Sequence, residues 1–284
     1  MEIRFWGVRG SVAASGEHVS RMGGNTSCVE VKSHGERLIL DAGTGIRALG
    51  EELLREPAPH RATILFSHLH WDHVQGFPFF GPAYLPTSQL KLFGPSEHGA
   101  LERALARQME PPNFPVTLSA MRAQILFGAA RENVTLELGR FRVTPFALPH
   151  PNGCLGYRIE ADGRVFVYAT DVELSLANLT DEVVAGLRDA DALCLDAQYT
   201  PEEYAGTCGA PKKGWGHSTM VDAAQVAAAV GARKLFLFHH DPSHDDATVE
   251  RMACEARRHF AHAEPATEHL RVGFEAMAAE HALL

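Results

Sequence analysis

Short apolar runs recur along the chain, each closing on glycine, proline or a polar cluster, and they alternate with stretches whose apolar positions repeat at helical spacing. Runs of this kind predict strands near residues 2–8, 26–32 and 37–41, after which "DAGTGI" turns the chain into a helix over about 45–55. "ATILF" and "QLKLFG" predict two further strands. Leu101, Leu105 and Met109 recur at i, i+4, i+8 and predict a helix capped by Ser96 and ended by Pro111 and Pro112. The second part repeats the theme, with strands at 133–138, 141–147, 154–160 and 164–169 and "ADGR" as a hairpin turn. A helix from Thr180, the strand "ALCLDA", a helix from Thr219 to Val230, the strand "KLFLF" and a last helix over about 245–260 follow. Thr219 and Asp222 have the spacing of a capping box, and Gly231 is placed to stop the helix. No low-complexity linker or short-period repeat interrupts this pattern. It predicts one domain, 1–284, with two similar halves, about 1–130 and 131–284, and a layered α/β architecture with sheets packed inside helices.

Composition narrows the function. A chain of 284 residues with 45% hydrophobic content supports a sizeable core. No window approaches the roughly 18 apolar residues that span a bilayer, and "MEIRFWGVRGS" lacks the apolar stretch of a secretory signal. The expectation is a cytoplasmic protein with no membrane partner. Cys28, Cys154, Cys194, Cys208 and Cys254 are odd in number, widely spaced and form no C-x-x-C pair, which argues against a disulfide framework and a cysteine metal site. The formal charge of −9, with only short basic clusters such as "PKKGWGH", argues against a long nucleic acid as partner. A small anionic substrate held by a local cationic centre fits this balance.

The candidate chemistry starts at "SHLHWDH", residues 67–73, which crowds His68, His70, Asp72 and His73 behind an apolar run. Desolvating that many polar groups is costly unless something binds them, and a metal ion is the obvious occupant. His68 and His70, two positions apart at a strand end, point to one side and can reach one ion. Asp72 and His73 lie further round the turn and can serve a second. Other strand-like runs also close on donor residues: His150 after "VTPFAL", Asp171 after "VFVYAT", and His239 and His240 after "KLFLF".

In this order, "SHLHWDH", His150, "YATD" and "LFHH" resemble the metallo-β-lactamase superfamily, most closely its phosphodiesterase branch. "GWGHST" at 214–219 resembles the H-S-T loop of ribonuclease Z-like enzymes, and "LCLDAQY" at 193–199 sits where those enzymes carry an acid that orients the loop histidine. "RFWGVRGS", "GGNTSC", "LILDAGTGI" and "GFPFFGPAY" are similar to bacterial relatives described as cyclic-nucleotide phosphodiesterases. The resemblance implies a four-layer αββα sandwich. It implies one divalent ion on His68, His70 and His150, and a second on Asp72, His73 and His239, with Asp171 bridging. His239 is preferred to His240 because it directly follows "LFLF", as the family's last ligand does. A donor set of histidine and carboxylate without thiolate suits Zn²⁺, with Mn²⁺ and Fe²⁺ compatible. Two ions about 3.5–4 Å apart lower the pKa of a shared water, and the bridging hydroxide attacks phosphorus in line. The resemblance further assigns His217 as general acid, Asp196 as the carboxylate that orients it, and Asp72 a place among the catalytic groups.

The implied function is a metal-dependent phosphodiesterase acting on a small phosphodiester, first of all a 3′,5′-cyclic nucleotide. The alternatives are a ribonuclease Z-like tRNA 3′-end endonuclease and a non-phosphate metallohydrolase cleaving a lactone, thioester or β-lactam. Relatives of this kind are commonly homodimers, and a homodimer is expected. Asn25 is a candidate phosphate contact or simply a turn residue, and Asp41 a hydrogen-bonding support for the ligand loop. Phe77, Phe80 and Tyr84 are candidates to stack on a base. The Gly-rich "AGTG" lacks the Lys-Ser/Thr of a P-loop. His18, His34, His60, His98, His244, His259, His262, His269 and His281 read as surface or structural.

Overall fold

The computed structural model describes residues 1–95 and 99–274; Ser96, His98 and His281 lie outside the described residues. Strands β1 (Glu2–Gly7), β2 (Cys28–Ser33), β3 (Glu36–Leu40), β4 (Arg61–Leu65), β5 (Gln89–Gly94) and β6 (Gln124–Ala129) build a first sheet. The second comprises β7 (Leu136–Leu138), β8 (Phe141–Leu148), β9 (Cys154–Ala161), β10 (Arg164–Ala169), β11 (Ala192–Asp196), β12 (Leu235–Phe238) and β13 (Ala263–Pro265). The chain then returns as β14 (Arg271–Gly273) to the outer edge of β1 in the first sheet.

Both sheets have the same internal plan. The first runs β14-β1-β2-β3-β4-β5-β6, antiparallel as far as β3 and parallel from β3 onward. The second runs β7-β8-β9-β10-β11-β12-β13, antiparallel as far as β10 and parallel from β10 onward. Parallel neighbours deliver their carboxyl ends to one rim, and the donor residues sit on that rim.

The apolar runs read as continuous because both of their faces are buried. In β12, Phe236 and Phe238 face the opposite sheet while Leu235 and Leu237 face helices, and β10 and β11 alternate in the same way. Between the sheets Phe5, Phe141, Tyr157, Phe166, Tyr168, Phe236 and Phe238 interdigitate. Outside the first sheet lie α1 (Ile46–Leu53) and α3 (Ala100–Gln108); outside the second lie α4 (Asp181–Leu187), α6 (Met220–Ala229) and α7 (Asp246–Ala256). Two short helices, α2 (Trp71–Val74) and α5 (Pro201–Ala205), complete the set. The layers are helix, sheet, sheet, helix: the αββα sandwich that the resemblance implied. Among the described residues no helix is long and apolar enough to cross a membrane.

The differences from expectation are local. The strand expected at 133–138 starts only at Leu136, because Asn133 turns the chain at φ 60°. Strands β6, β13 and β14 carry no clear signal in the sequence. The capping box expected at Thr219 and Asp222 is half formed. Thr219 Oγ1 accepts from Asp222 N, but the Asp222 carboxylate takes the Thr219 hydroxyl rather than reaching back to the backbone. A complete box forms instead between Thr200 and Glu203, whose longer side chain makes that reach.

Phe236 is fully buried and packs 5.2 Å from Phe5, centroid to centroid, at the middle of the inter-sheet core. Phe236→Ala is expected to cost about 3–5 kcal/mol of stability in urea unfolding.

Candidate metal centre

Every donor singled out above lies at or just beyond a carboxyl strand end. His68 comes three residues after β4, His150 two after β8, Asp171 two after β10, and His239 directly after β12. His70 caps α2, and Asp72 and His73 ride its single turn. Asp171 and His239 hold left-handed backbone conformations, φ 51° and 62°, as does Asp41 after β3, at 60°. Such angles are uncommon outside glycine, and here they turn side chains sharply off the strand direction onto the rim.

Three groups of donor atoms result. His68, His70, His150 and Asp171 form one, Asp72, His73, Asp171 and His239 the second, and Asp196, His217 and His239 a third at the margin. Asp171 belongs to the first two. Its Oδ1 lies 3.6 Å from His68 Nε2 and 3.9 Å from His150 Nε2, while its Oδ2 lies 3.1 Å from His73 Nε2. His239 Nε2 is 3.2 Å from Asp72 Oδ2 and 3.4 Å from His73 Nε2. Metal–ligand bonds of roughly 2.0–2.2 Å at tetrahedral angles put neighbouring donors about 3.3–3.6 Å apart, so these spacings fit donors arranged around ions. His68 Nε2 is buried and has no hydrogen-bond partner among the described residues. A buried imidazole nitrogen left without a partner beside a carboxylate has room for a cation.

The far side of three of the five rings is fixed by a carboxylate, a carbonyl or an amide oxygen. His73 Nδ1 donates to Asp41 Oδ2 (2.8 Å), His150 Nδ1 to Gly216 O (2.9 Å) and His239 Nδ1 to Gln198 Oε1 (3.2 Å). These bonds set the tautomer that leaves Nε2 free for a cation. Asp41 also accepts from Ser67 N, Ser67 Oγ and Tyr168 Oη, each at 2.8 Å. Asp72 accepts from Ser11 N at 2.7 Å.

The electrostatics match a cation site. Burial holds the His68, His70 and His150 imidazoles below their usual pKa and thus neutral, as metal ligation requires. Burial also opposes protonation of His73, but Asp171, Asp72 and Asp41 outweigh it and raise its pKa well above normal. Asp171 goes the other way: burial resists its ionisation, and His239, His73 and His68 hold it well below the carboxylate range. Buried negative charge here draws in whatever positive charge is at hand.

Beside these groups, His217 Nδ1 donates to Asp196 Oδ2 at 2.7 Å, and its ring stacks on His239 with centroids 4.9 Å apart. Burial depresses the His217 pKa, and the charge and hydrogen bond of Asp196 overcome it, pushing it up to about 9. His240 points elsewhere. It donates to Ala266 O (2.9 Å), and burial lowers its pKa to about 3. Phe77 and Phe80 are fully buried in the core and cannot stack on a base, while half-buried Tyr84 donates its hydroxyl to Pro78 O. Asn25 gives its side-chain amide to Glu268, away from the donor groups. All five cysteines are free, and buried Cys154 Sγ lies 3.8 Å from His68 Nδ1.

Several supports escape sequence reasoning. A Cβ on Gly10 would stand 2.4 Å from the His239 ring, and one on Gly216 equally close to His150. Fully buried Arg9 donates to the carbonyls of Gly23, Asp241 and His244, tying the Gly10 loop to the segment after β12. Gln198 follows Asp196 at the spacing that puts two side chains on one side of an extended segment, the one signal the sequence offers for it.

Residues 36–240 match the family described as the beta-lactamase superfamily domain. The chain belongs to that superfamily. As a member it is a hydrolase with donor clusters suited to divalent metal ions. It is similar to ribonuclease BN of Erwinia tasmaniensis, 26% identical over an alignment of 296 positions, gaps included, that covers 85% of this chain and 92% of that protein. Among solved structures, the metallo-β-lactamase fold protein YhfI from Bacillus subtilis superposes with a TM-score of 0.71 at 18% identity, covering 96% of this chain and 99% of its own. A diphosphatase from the PhnP family superposes with a TM-score of 0.69 at 19% identity, covering 97% and 98%. These structural likenesses establish the shared superfamily fold.

Asp41→Asn exchanges a carboxylate oxygen for an amide among four donors, and Zn²⁺ titration is expected to show metal affinity falling about 10- to 100-fold. Gly10→Ala is expected to displace His239 and lower metal stoichiometry on gel-filtered protein, with the far-ultraviolet circular dichroism unchanged.

Proposed function

We propose that this protein is a binuclear metal-dependent phosphodiesterase, with His68, His70 and His150 on one ion, Asp72, His73 and His239 on the other, and Asp171 shared. The observation that carries the reading is the Asp196–His217 pair, stacked against His239 at the edge of the donor groups. Divalent ions bound there supply Lewis acidity toward phosphoryl oxygens and lower the pKa of water. The chain's own part is positioning and proton transfer. Asp196 holds His217 Nδ1–H, so Nε2 is the ring nitrogen left to act. As the P–O ester bond breaks, His217 gives its proton to the leaving alkoxide, whose high pKa makes an unassisted departure slow.

The favoured substrate is a small phosphodiester, first of all a 3′,5′-cyclic nucleotide. Zn²⁺ suits the histidine and carboxylate donors, and Mn²⁺ or Fe²⁺ is compatible with them. A homodimer in the cytoplasm remains the expected setting. A second reading, a tRNA 3′-end endonuclease, is favoured by the relatives named ribonuclease BN and ribonuclease Z. Against it stand the net charge of −9 and the stretch between β5 and β6, whose described residues form α3 and short turns, with no long arm.

The test is turnover by metal-loaded protein of four cyclic nucleotides, an aryl phosphodiester, a precursor tRNA and a β-lactam. His217→Ala is expected to keep its metal content while kcat on the cyclic nucleotides falls on the order of 10²- to 10⁴-fold. An unchanged kcat would remove His217 from the mechanism, and cleavage of precursor tRNA alone would establish the second reading.

A further inference from the structure

The segment "PKKGWGH", 211–217, ends in His217 and carries a tryptophan that the hydrolytic chemistry leaves without a task. Trp215 is 52% exposed. Leaving so large an apolar ring in water forgoes burial worth kilocalories, and a loop free to move would fold it away. This loop is fixed. The Glu173 carboxylate accepts from Gly214 N at 2.9 Å and from Gly216 N at 3.0 Å, on either side of the indole, and also from Tyr204 Oη at 2.6 Å. Gly214 and Gly216 take φ of 83° and 88°, angles that side-chain-bearing residues rarely adopt. Gly216 O in turn receives the His150 Nδ1 proton, so the peptide after the indole is bonded to a proposed metal ligand.

One face of the indole is taken. Lys212 Nζ sits 4.0 Å from the Trp215 ring centroid and 5.8 Å from that of Tyr199, whose edge meets His217. The ammonium forms no ion pair among the described residues, so its charge is uncompensated at the edge of the site. The result is an indole on a hydrogen-bonded loop, capped by a cation on one side and half exposed, one residue before Gly216 and two before His217 in the chain. Trp71 is also exposed, at 66%, but no cation caps it and no carboxylate pins its flanking peptides among the described residues.

We propose that the face of Trp215 opposite Lys212 is the stacking platform for the aromatic base of the substrate, with the Lys212 ammonium holding the indole from its other side. This rests on the phosphodiesterase reading and gives that site its selectivity for nucleotides over simple diesters. A single free face admits a single ring, which suits a mononucleotide.

The experiment compares kcat/KM for adenosine 3′,5′-cyclic phosphate with that for the same ribose cyclic phosphate lacking the base. The ratio for the unaltered protein is expected on the order of 10 to 100, the value of one base–aromatic stack. Trp215→Ala is expected to bring the ratio near one, and Trp215→Phe to restore most of it. A ratio that Trp215→Ala leaves intact overturns the proposal without touching the phosphodiesterase reading. Binding is read separately in Trp71→Phe protein, where AMP is expected to quench tryptophan fluorescence and ribose 5-phosphate is not. If neither cyclic phosphate is turned over, the phosphodiesterase reading is decided by the other diesters of the panel and the quenching alone decides the platform: quenching by AMP that disappears with Trp215→Phe upholds it, and no quenching overturns it.

Discussion

The metal centre hangs on one buried carboxylate. Asp41 is fully buried and accepts four hydrogen bonds: two from Ser67 beyond β4, one from His73, and one from Tyr168 on β10 of the other sheet. A carboxylate this far from water is tolerable only when its lone pairs are so satisfied. Because its donors come from both sheets, Asp41 fixes how the two rims face each other, and with that the spacing between the donor groups. The left-handed backbone at Asp41 is the local strain that lets the side chain turn inward beneath the site.

Other constraints follow from that knot. Three imidazoles are held from behind by Asp41, Gly216 O and Gln198, and two of them are also backed by glycines whose missing Cβ atoms leave room for the rings. The rings are therefore aimed before any ion arrives, and binding an ion would spend little free energy on ordering them. His217 uses the same device, its Nδ1 given to Asp196, but it lies flat against His239 at the margin of the donor groups.

Much of the sandwich was legible because its central strands are apolar on both faces and end in abrupt polar residues. Strands at the margins were not. β13 is three residues, Ala263–Pro265, held by pairing to β12, and its "AEP" has no strand character of its own. β6 follows a proline-rich stretch, and none of its residues is fully buried, so its pattern carries little contrast. At the site, the donor residues announced themselves through spacing and a family resemblance. The supports did not, because Arg9, Gly10 and Gln198 act through contacts to residues far along the chain. The aromatic residues in "GFPFFGPAY" misled for a related reason: apolar sequence beside a site looks the same whether it faces the ligand or the core, and Phe77 and Phe80 face the core.

The return of β14 to the first sheet also orders events in time. Ile3 pairs with Val272, so the outer edge of β1 stays uncovered until β14, Arg271–Gly273, has been made. At about 5–20 residues per second, that is an interval on the order of 15 to 50 s on the ribosome. His239 arrives late in the same interval, so a nascent chain presents "SHLHWDH" to the cell long before the donors that close the centre around it. During that window an open strand edge and a half-built histidine cluster are exposed together, and the newly made protein is most in need of protection from aggregation and from stray metal.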